Sequence, residues 1–371
     1  MAAFTRPQLA PRSRLAALLG RSLVTPLVPA DYLELINPLR FTRDLRGRIE
    51  QLIDETADAR TLVIRPGRGW QAHRAGQFVS VGVDINGVRH TRCYSISSAP
   101  ERADGCFSIT VKAVDGGRVS THLVRQARIG GLIHLSRADG EFVLPEGPAE
   151  PLLLISAGSG ITPVMSMLRS LATRDATVDI VLLHYAPTTA DTIFHDELQA
   201  LAARWPTRLR INLVKTREAG DASLQGHFRS EHLHRACVDW QTRQTYACGP
   251  RALLADLESI WSAAGQAARL HSERFQAALA PANAGATGGE VRFSRSGRLA
   301  QADGSKPLLE VAESAGLAPA HGCRMGICHG CTVKLKSGCV RDLRSGQLHS
   351  DSGELVQICV CAAAGDVEIE L

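Results

Sequence analysis

The stretch HGCRMGICHGC, residues 321–331, sets Cys323, Cys328 and Cys331 at a Cys-x4-Cys-x2-Cys spacing. Whatever holds these three side chains together decides what the surrounding chain must fold into. Four answers compete: a disulfide framework, a zinc knuckle, a redox dithiol and an iron–sulfur cluster. Ten cysteines in 371 residues are too dilute for a disulfide scaffold, and no secretory apolar segment precedes them. They point to a reducing compartment, where clustered cysteines bind metal or carry out redox chemistry. Zinc modules present two Cys-x2-Cys pairs, or one pair with histidines at finger spacing, and here the first gap is four. A Cys-x2-Cys dithiol leaves Cys323 unaccounted for.

With a distant fourth cysteine, the spacing resembles that of plant-type [2Fe–2S] ferredoxins. Gly322, Gly326 and Gly330 supply the backbone freedom of a loop whose N–H groups turn toward cluster sulfurs. Upstream, VRFSRSGRLAQADG reads as a β-hairpin and KPLLEVAESAG as a short helix, the order found in the ferredoxin fold. The resemblance makes Cys323, Cys328 and Cys331 ligands and leaves QICVCAAAGDVEIEL to supply the fourth. The family's last cysteine stands seven residues before an Asp that opens a closing strand. Cys359 stands so before Asp366 and is the ligand assigned; counting forward from Cys331 favours Cys361, which is otherwise placed beside the cluster. Cys339 reads as a structural cysteine, and zinc is the competing metal.

At 44% hydrophobic and 21% charged residues, the composition is that of a globular protein, and the length calls for two or three domains. No apolar run reaches the length of a membrane-spanning helix. The net charge of +5 is not gathered in a lysine-rich tract, so nucleic acid is not an expected partner. Residues 1–30 break the even distribution: they carry Arg6, Arg12, Arg14 and Arg21 and no acidic residue. An arm packed on the first domain, a helix for a membrane surface or partner, and a targeting peptide all fit this segment.

From residue 46 to 146 six short β-type runs, separated by Gly, Asp and Pro, predict a small antiparallel barrel. At residue 151 the texture changes. PLLLISA runs into GSGITPVMSMLRSLA, and further β-type runs alternate with helical ones, as in a parallel sheet covered by helices. QAALAPANAGATGGE, residues 276–290, reads as a flexible linker. The expected organisation is thus an arm (1–45), a barrel (46–146), an α/β domain (147–275), the linker (276–290) and a β-grasp domain (291–371).

In the barrel RCYSISS, residues 92–98, resembles the Arg-x-Tyr-Ser-x-Ser flavin motif of the ferredoxin–NADP reductase superfamily. By that likeness Arg92 pairs with a phosphate of FAD, Tyr94 lies against the isoalloxazine and Ser95 bonds near N5. These roles suit a bidentate guanidinium and an aromatic face. VKAVDGGRVSTHL resembles the family's second flavin segment, implicating Val111 and Lys112 in cofactor binding and placing Gly117, Ser120 and Thr121 on the pyrophosphate at a helix start. GEFVLP resembles the exit from the barrel. In the α/β domain GSGITP resembles Gly-x-Gly-x-Thr-Pro, so Gly158, Gly160, Thr162 and Pro163 are the expected nicotinamide-nucleotide seat. YACGPRALL carries the Cys-Gly-Pro motif: Cys248 is expected near the nicotinamide, with Gly249 and Pro250 beside it. SERF matches the family's Glu-x-Phe ending, which turns Glu273 and Phe275 toward the flavin. Ser95, Cys248 and Glu273 are the catalytic candidates. Thr188 stands where many members have Arg, no acidic residue ends that strand, and Arg217 is available for a 2′-phosphate, which favours NADPH over NADH.

The order barrel, nucleotide sheet, linker, ferredoxin resembles reductases that serve oxygenases and desaturases. It implies a hydride from NAD(P)H to FAD, single electrons to the [2Fe–2S] centre, and delivery to a partner metal. DYLELINPL, GCRMGICH and AAAGDVEIEL resemble reductases of a membrane di-iron fatty acyl desaturase. That likeness implies a cytoplasmic protein touching the inner face of the membrane through its arm. The alternative acceptor is a soluble Rieske or di-iron ring-hydroxylating oxygenase; a zinc-stabilised nucleotide-binding module is the rival of another class.

Overall fold

The computed structural model describes residues 37–40, 44–146, 150–218, 224–275, 287–322, 324–326 and 329–371. Most of the arm, most of the linker, Cys323 and Cys328 therefore lie outside the described residues.

Six strands build the first sheet: β1 (Arg46–Thr56), β2 (Ala59–Pro66), β3 (Phe78–Ile85), β4 (Val88–Ser95), β5 (Phe107–Lys112) and β6 (Leu132–Leu135), in the order β4-β3-β6-β1-β2-β5. A bridge from Ile96, just past β4, to Ile109 on β5 joins the two edges and closes the barrel. Alternation sends Leu62, Ile64, Phe107, Ile109 and Val111 into the core and leaves Ser108 and Thr110 on the outer face of β5. Asn86 and Gly87 both take positive φ, the two-residue turn that suits the twist of the β3–β4 hairpin. One helix, α1 (Arg118–Arg125), covers the barrel.

The second sheet is wholly parallel, in the order β11-β10-β7-β8-β9. Its strands are β7 (Leu152–Ala157), β8 (Ile180–Ala186), β9 (Leu209–Lys215), β10 (Gln244–Cys248) and β11 (Leu270–Glu273). Helices α2 (Ile161–Thr173), α3 (His195–Arg204), α4 (Ser230–Ala236) and α5 (Arg251–Ala263) cover it. Both faces of β7 and β8 are buried, which is why their sequences read as nearly unbroken apolar runs. From β7 the chain builds outward through β8 to β9 and then returns to the other side of β7 for β10. The strand order reverses at β7, and such a switch point is where an open α/β sheet binds a ligand.

The third sheet holds β12 (Gly289–Phe293), β13 (Arg298–Ala302), β14 (Thr332–Asp342), β15 (Leu348–His349), β16 (Leu355–Gln357) and β17 (Cys361–Ile369), with α6 (Leu308–Ser314) packed on it. β12 runs parallel to β17 and the other pairings are antiparallel, a β-grasp arrangement. The expected hairpin and short helix are β12–β13 and α6; β12 takes in the last two residues of the stretch read as linker. Helix α4 was not anticipated from sequence.

The first two domains share one apolar cluster. Ala59, Ala75, Phe142 and Leu144 from the barrel side pack with Leu154, Met165, Met167 and Tyr246, and the Phe142 and Tyr246 rings meet edge-on at 5.6 Å.

Candidate active site and cluster centre

Register places four polar side chains in one row near the C-terminal ends of the parallel strands: Glu273 beside Cys248, Cys248 beside Ser156, Ser156 beside His184. The barrel adds Ser95, at the end of β4, whose Oγ donates to Glu273 Oε2 at 3.3 Å. Burial pushes the Glu273 carboxyl up to about 8, against the opposing hydrogen bond from Ser95. Part of its surface is still reached by solvent, and desolvation nonetheless outweighs the hydrogen bond from Ser95. Burial, and then the neighbouring Glu273 charge, raise the Cys248 thiol well above its usual value, so it is a neutral thiol and not a nucleophile.

Glu273 is therefore a neutral acid near pH 7 and ionises as the pH rises through about 8. The ionised form grips the Ser95 hydroxyl more tightly and puts a buried charge beside Cys248. Flavin reduction by NAD(P)H, followed by stopped flow, is expected to slow about tenfold between about pH 7 and pH 9, as the protonated fraction falls. Glu273→Gln should flatten that profile; an unchanged profile in the variant would assign the titration to another group.

Sequence reasoning missed Ser156 and His184, because both sit in strands that read as plain apolar runs. Ser156 Oγ and His184 Nδ1 lie 2.9 Å apart and buried. Burial, with the Lys215 charge, pushes His184 down to about 3, so the imidazole is neutral. A histidine between two apolar residues of a strand is the one signal that pointed there.

The nucleotide turn, Gly158–Gly160, leads directly into α2. A Cβ at Gly160 would fall inside the carbonyl of Cys248, so this turn can lie against the Cys-Gly-Pro strand only with glycine there. The first N–H groups of α2 point out of the switch point and suit a pyrophosphate. The Thr162 hydroxyl donates to Ser159 O at 2.9 Å and Pro163 is buried, so these two shape the seat more than they line it. Gly249 packs on Ala157, and Pro250 caps α5.

In the barrel, Tyr94 is largely enclosed, and burial raises its phenol. Gly117 caps α1, and Ser120 Oγ accepts from the Val114 N–H at 3.2 Å, so that hydroxyl stabilises the turn at the helix start. Thr121 follows it, its own N–H bonded to Gly117 O. Val111 turns into the core, and Lys112 Nζ is held by Asp58 at 2.8 Å, so neither side chain is free to reach a ligand. Phe275 is half-buried against the shared apolar cluster. These residues fit FAD: a half-buried guanidinium and a half-buried aromatic ring on β4, and a helix start that follows β5, belong to one barrel.

In the third domain Cys331 and Cys359 are both buried in one cluster, and Ile358 N–H donates to Cys331 O at 3.3 Å, which brings the two cysteines together. Cys361 is already in β17, in register with Asp342. Cys339, in β14, is half-buried. The cysteine loop takes left-handed backbone at Arg324 (φ 59), Gly326 (φ 72) and His329 (φ 54). Arg344 Nη1 donates to Gly326 O at 3.1 Å and the guanidinium is anchored on Asp342, which pins the loop to the sheet. A set of thiols among main-chain donors in an apolar setting suits an iron–sulfur cluster. This loop lies beside the flavin motif: burial and then the like charge of Arg324 lower Arg92, and Arg324 is itself paired with Glu313 of α6.

The fold and the two sites define a flavin- and iron–sulfur-dependent NAD(P)H oxidoreductase. The chain matches family models for an oxidoreductase FAD-binding domain over residues 51–144, an oxidoreductase NAD-binding domain over 154–259 and a 2Fe–2S iron-sulfur cluster binding domain over 292–364. It belongs to the ferredoxin–NADP reductase family, among the reductases with a C-terminal [2Fe–2S] domain. It is 45% identical to an NADPH oxidoreductase of Mycobacterium tuberculosis, over 94% of this chain and 90% of that protein. It is 31% identical to the glycine betaine monooxygenase reductase subunit of Chromohalobacter salexigens, over 76% of this chain and 82% of that one. Among solved structures, phthalate dioxygenase reductase superposes with a TM-score of 0.62 at 25% identity, covering 89% of this chain and 98% of that one.

Proposed function

We propose that this NAD(P)H-dependent reductase takes its electrons from NADPH and delivers them to the metal centre of a soluble oxygenase. The observation that supports the electron route is that Arg324 of the cysteine loop lies within electrostatic reach of Arg92 in the flavin motif. When bound, FAD accepts two electrons as hydride and the [2Fe–2S] cluster passes them on singly. The protein's part is to seat the nucleotide on the turn before α2, to hold a neutral acid and a hydroxyl at Glu273 and Ser95, and to keep the cysteine loop close.

The oxygenase acceptor is supported by relatives named as reductase subunits of a monooxygenase and a dioxygenase. The desaturase reading leaned partly on residues 31–39 and on the arm, most of which lies outside the described residues, and no relative considered above carries that name. Among the described residues no helix is long and apolar enough to cross a membrane. The name of the mycobacterial relative supports NADPH. So does Arg217, exposed at the end of β9 with its N–H bonded to Pro187 O beside the 188–192 turn. Sequence reasoning missed Glu218, whose carboxylate accepts the Thr189 N–H at 2.6 Å in that same turn.

The test has two arms. Anaerobic titration with NADPH and NADH should show tighter binding and faster bleaching of the flavin band with NADPH. The reduced protein should then reduce a soluble Rieske or di-iron oxygenase component at a rate indifferent to anionic vesicles. Turnover that appears only with a desaturase in a bilayer, and that falls on deleting residues 1–30, would replace the oxygenase by the membrane acceptor.

A further inference from the structure

In sequence SMLRSLATR reads as the middle of an ordinary helix. In the structure its polar residues recur at i, i+3, i+4 and i+8 and share one side of α2, and all four reach across to the barrel domain. Ser166 Oγ donates to Ser98 O at 2.7 Å, and Arg169 Nη1 to Ser97 O at 2.7 Å. Ser170 Oγ donates to Glu101 Oε1 at 2.9 Å, and Arg174 Nε to the same oxygen at 2.5 Å. Every acceptor lies in the loop that leaves β4, within six residues of Ser95.

Arg169 is the hub of this seam. Its Nε and Nη2 fork onto Glu197 at 2.8 and 2.5 Å, and its guanidinium carbon stands 4.7 Å from the centre of the Phe194 ring. Phe194 holds a left-handed backbone at φ 61, and its N–H is received by Glu55 of β1. A run of hydroxyls returns from Glu55 to the loop: Thr61 Oγ1 lies 2.5 Å from Glu55 Oε1 and 2.7 Å from Thr110 Oγ1, which lies 2.9 Å from Ser97 Oγ. Arg169, Glu55, Thr61 and Glu197 line a groove of about 770 Å³ between the domains.

The two domains already share an apolar core, and burial of that kind is non-directional. Hydrogen bonds with narrow angular tolerance add orientation. The same helix begins at the nucleotide turn, so one rigid rod connects the nucleotide seat to the loop that carries Ser95. We propose that Arg169 is a positioning residue for hydride transfer: by holding the Ser97 carbonyl it fixes Ser95 relative to Glu273 and to the nucleotide turn. In that transfer the C4–H bond of NADPH breaks and both its electrons pass with the hydrogen to the flavin, leaving NADP+. The step is steep in distance, with a misplacement of about 1 Å costing about a hundredfold in rate.

Two variants separate this role from simple interface stability. Arg169→Met keeps the stem but loses every donor; Glu197→Gln weakens the fork and leaves the bond to Ser97. In holoprotein of full FAD content, Arg169→Met should lower the limiting rate of flavin reduction by NADPH about ten- to a hundredfold. The isotope effect with NADPH deuterated at C4 should rise, while NADP+ affinity stays within about twofold of wild type. The perturbation of the oxidised flavin spectrum on adding NADP+, which needs no turnover, should change shape. Glu197→Gln should stay within about twofold of wild type in all of these. A wild-type rate in Arg169→Met, or equal slowing in both variants, would overturn the proposal. If Arg169→Met loses its flavin, Ser166→Ala decides: it removes only the grip on Ser98, and an unaltered NADP+ difference spectrum and rate would reject positioning by this helix.

Discussion

Cys359→Ser is expected to abolish the EPR signal of the dithionite-reduced cluster, whereas Cys361→Ser should largely keep it. Cys359 sits in the turn between β16 and β17, outside the strand ladders, next to a residue whose N–H is bonded to Cys331 O. A turn residue can aim its sulfur and its neighbours' N–H groups at a cluster without breaking a sheet. Cys361 is committed to the β17–β14 ladder opposite Asp342, and recruiting it would pull the first rung apart. The loss is all-or-none, because a cluster held by three thiolates lacks the ligand that closes the site. If Cys361→Ser loses the signal and Cys359→Ser retains it, the last ligand is two residues further on and the turn is only a neighbour.

Gly160→Ala should be nearly as severe, at the other end of the electron route. The added Cβ would press on the carbonyl carbon and oxygen of Cys248 and on the Gly249 N. None of these can swing away as a side chain would, so either the turn lifts off β10 or the strand end moves. Overpacking of this kind costs about 3 kcal/mol, and melting should drop by roughly 4 °C in a chain of 371 residues. Because the displaced atoms lie at the proposed nucleotide seat, binding of the oxidised nicotinamide nucleotide, measured by flavin difference spectra, should be lost even in protein that remains folded. Normal affinity in a soluble Gly160→Ala protein would show that the turn has slack this packing does not reveal.

The cysteine spacing, the Arg-Cys-Tyr-Ser stretch and the Gly-Ser-Gly turn were legible because each is local. A few adjacent residues must adopt one backbone shape, and chemistry restricts which residue types can. The barrel strands were legible for a similar reason: a half-buried antiparallel strand alternates, as Val79, Val81 and Val83 do against Ser80 and Asp84 on the other face of β3. The interior of the parallel sheet was less so. Ser156 and His184 are polar residues in runs that burial on both faces makes uniformly apolar, and nothing local says that they meet. Glu218 was missed because its partner lies 29 positions away.

The sequence by itself determined the three modules and their order, since those follow from contacts within a few residues and from the periods of strand and helix. Only the tertiary structure decided how the modules face one another. Glu273 is a neutral acid because β11 lies beside β10 and under Ser95 of another domain. Arg169 grips a carbonyl 72 positions away. The cysteine loop lies near Arg92 although more than two hundred residues separate them. Such relations depend on loop closure and shared burial over the whole chain. A pKa or a hydrogen bond between domains is set by what surrounds a group in space, and no local pattern of residues encodes that.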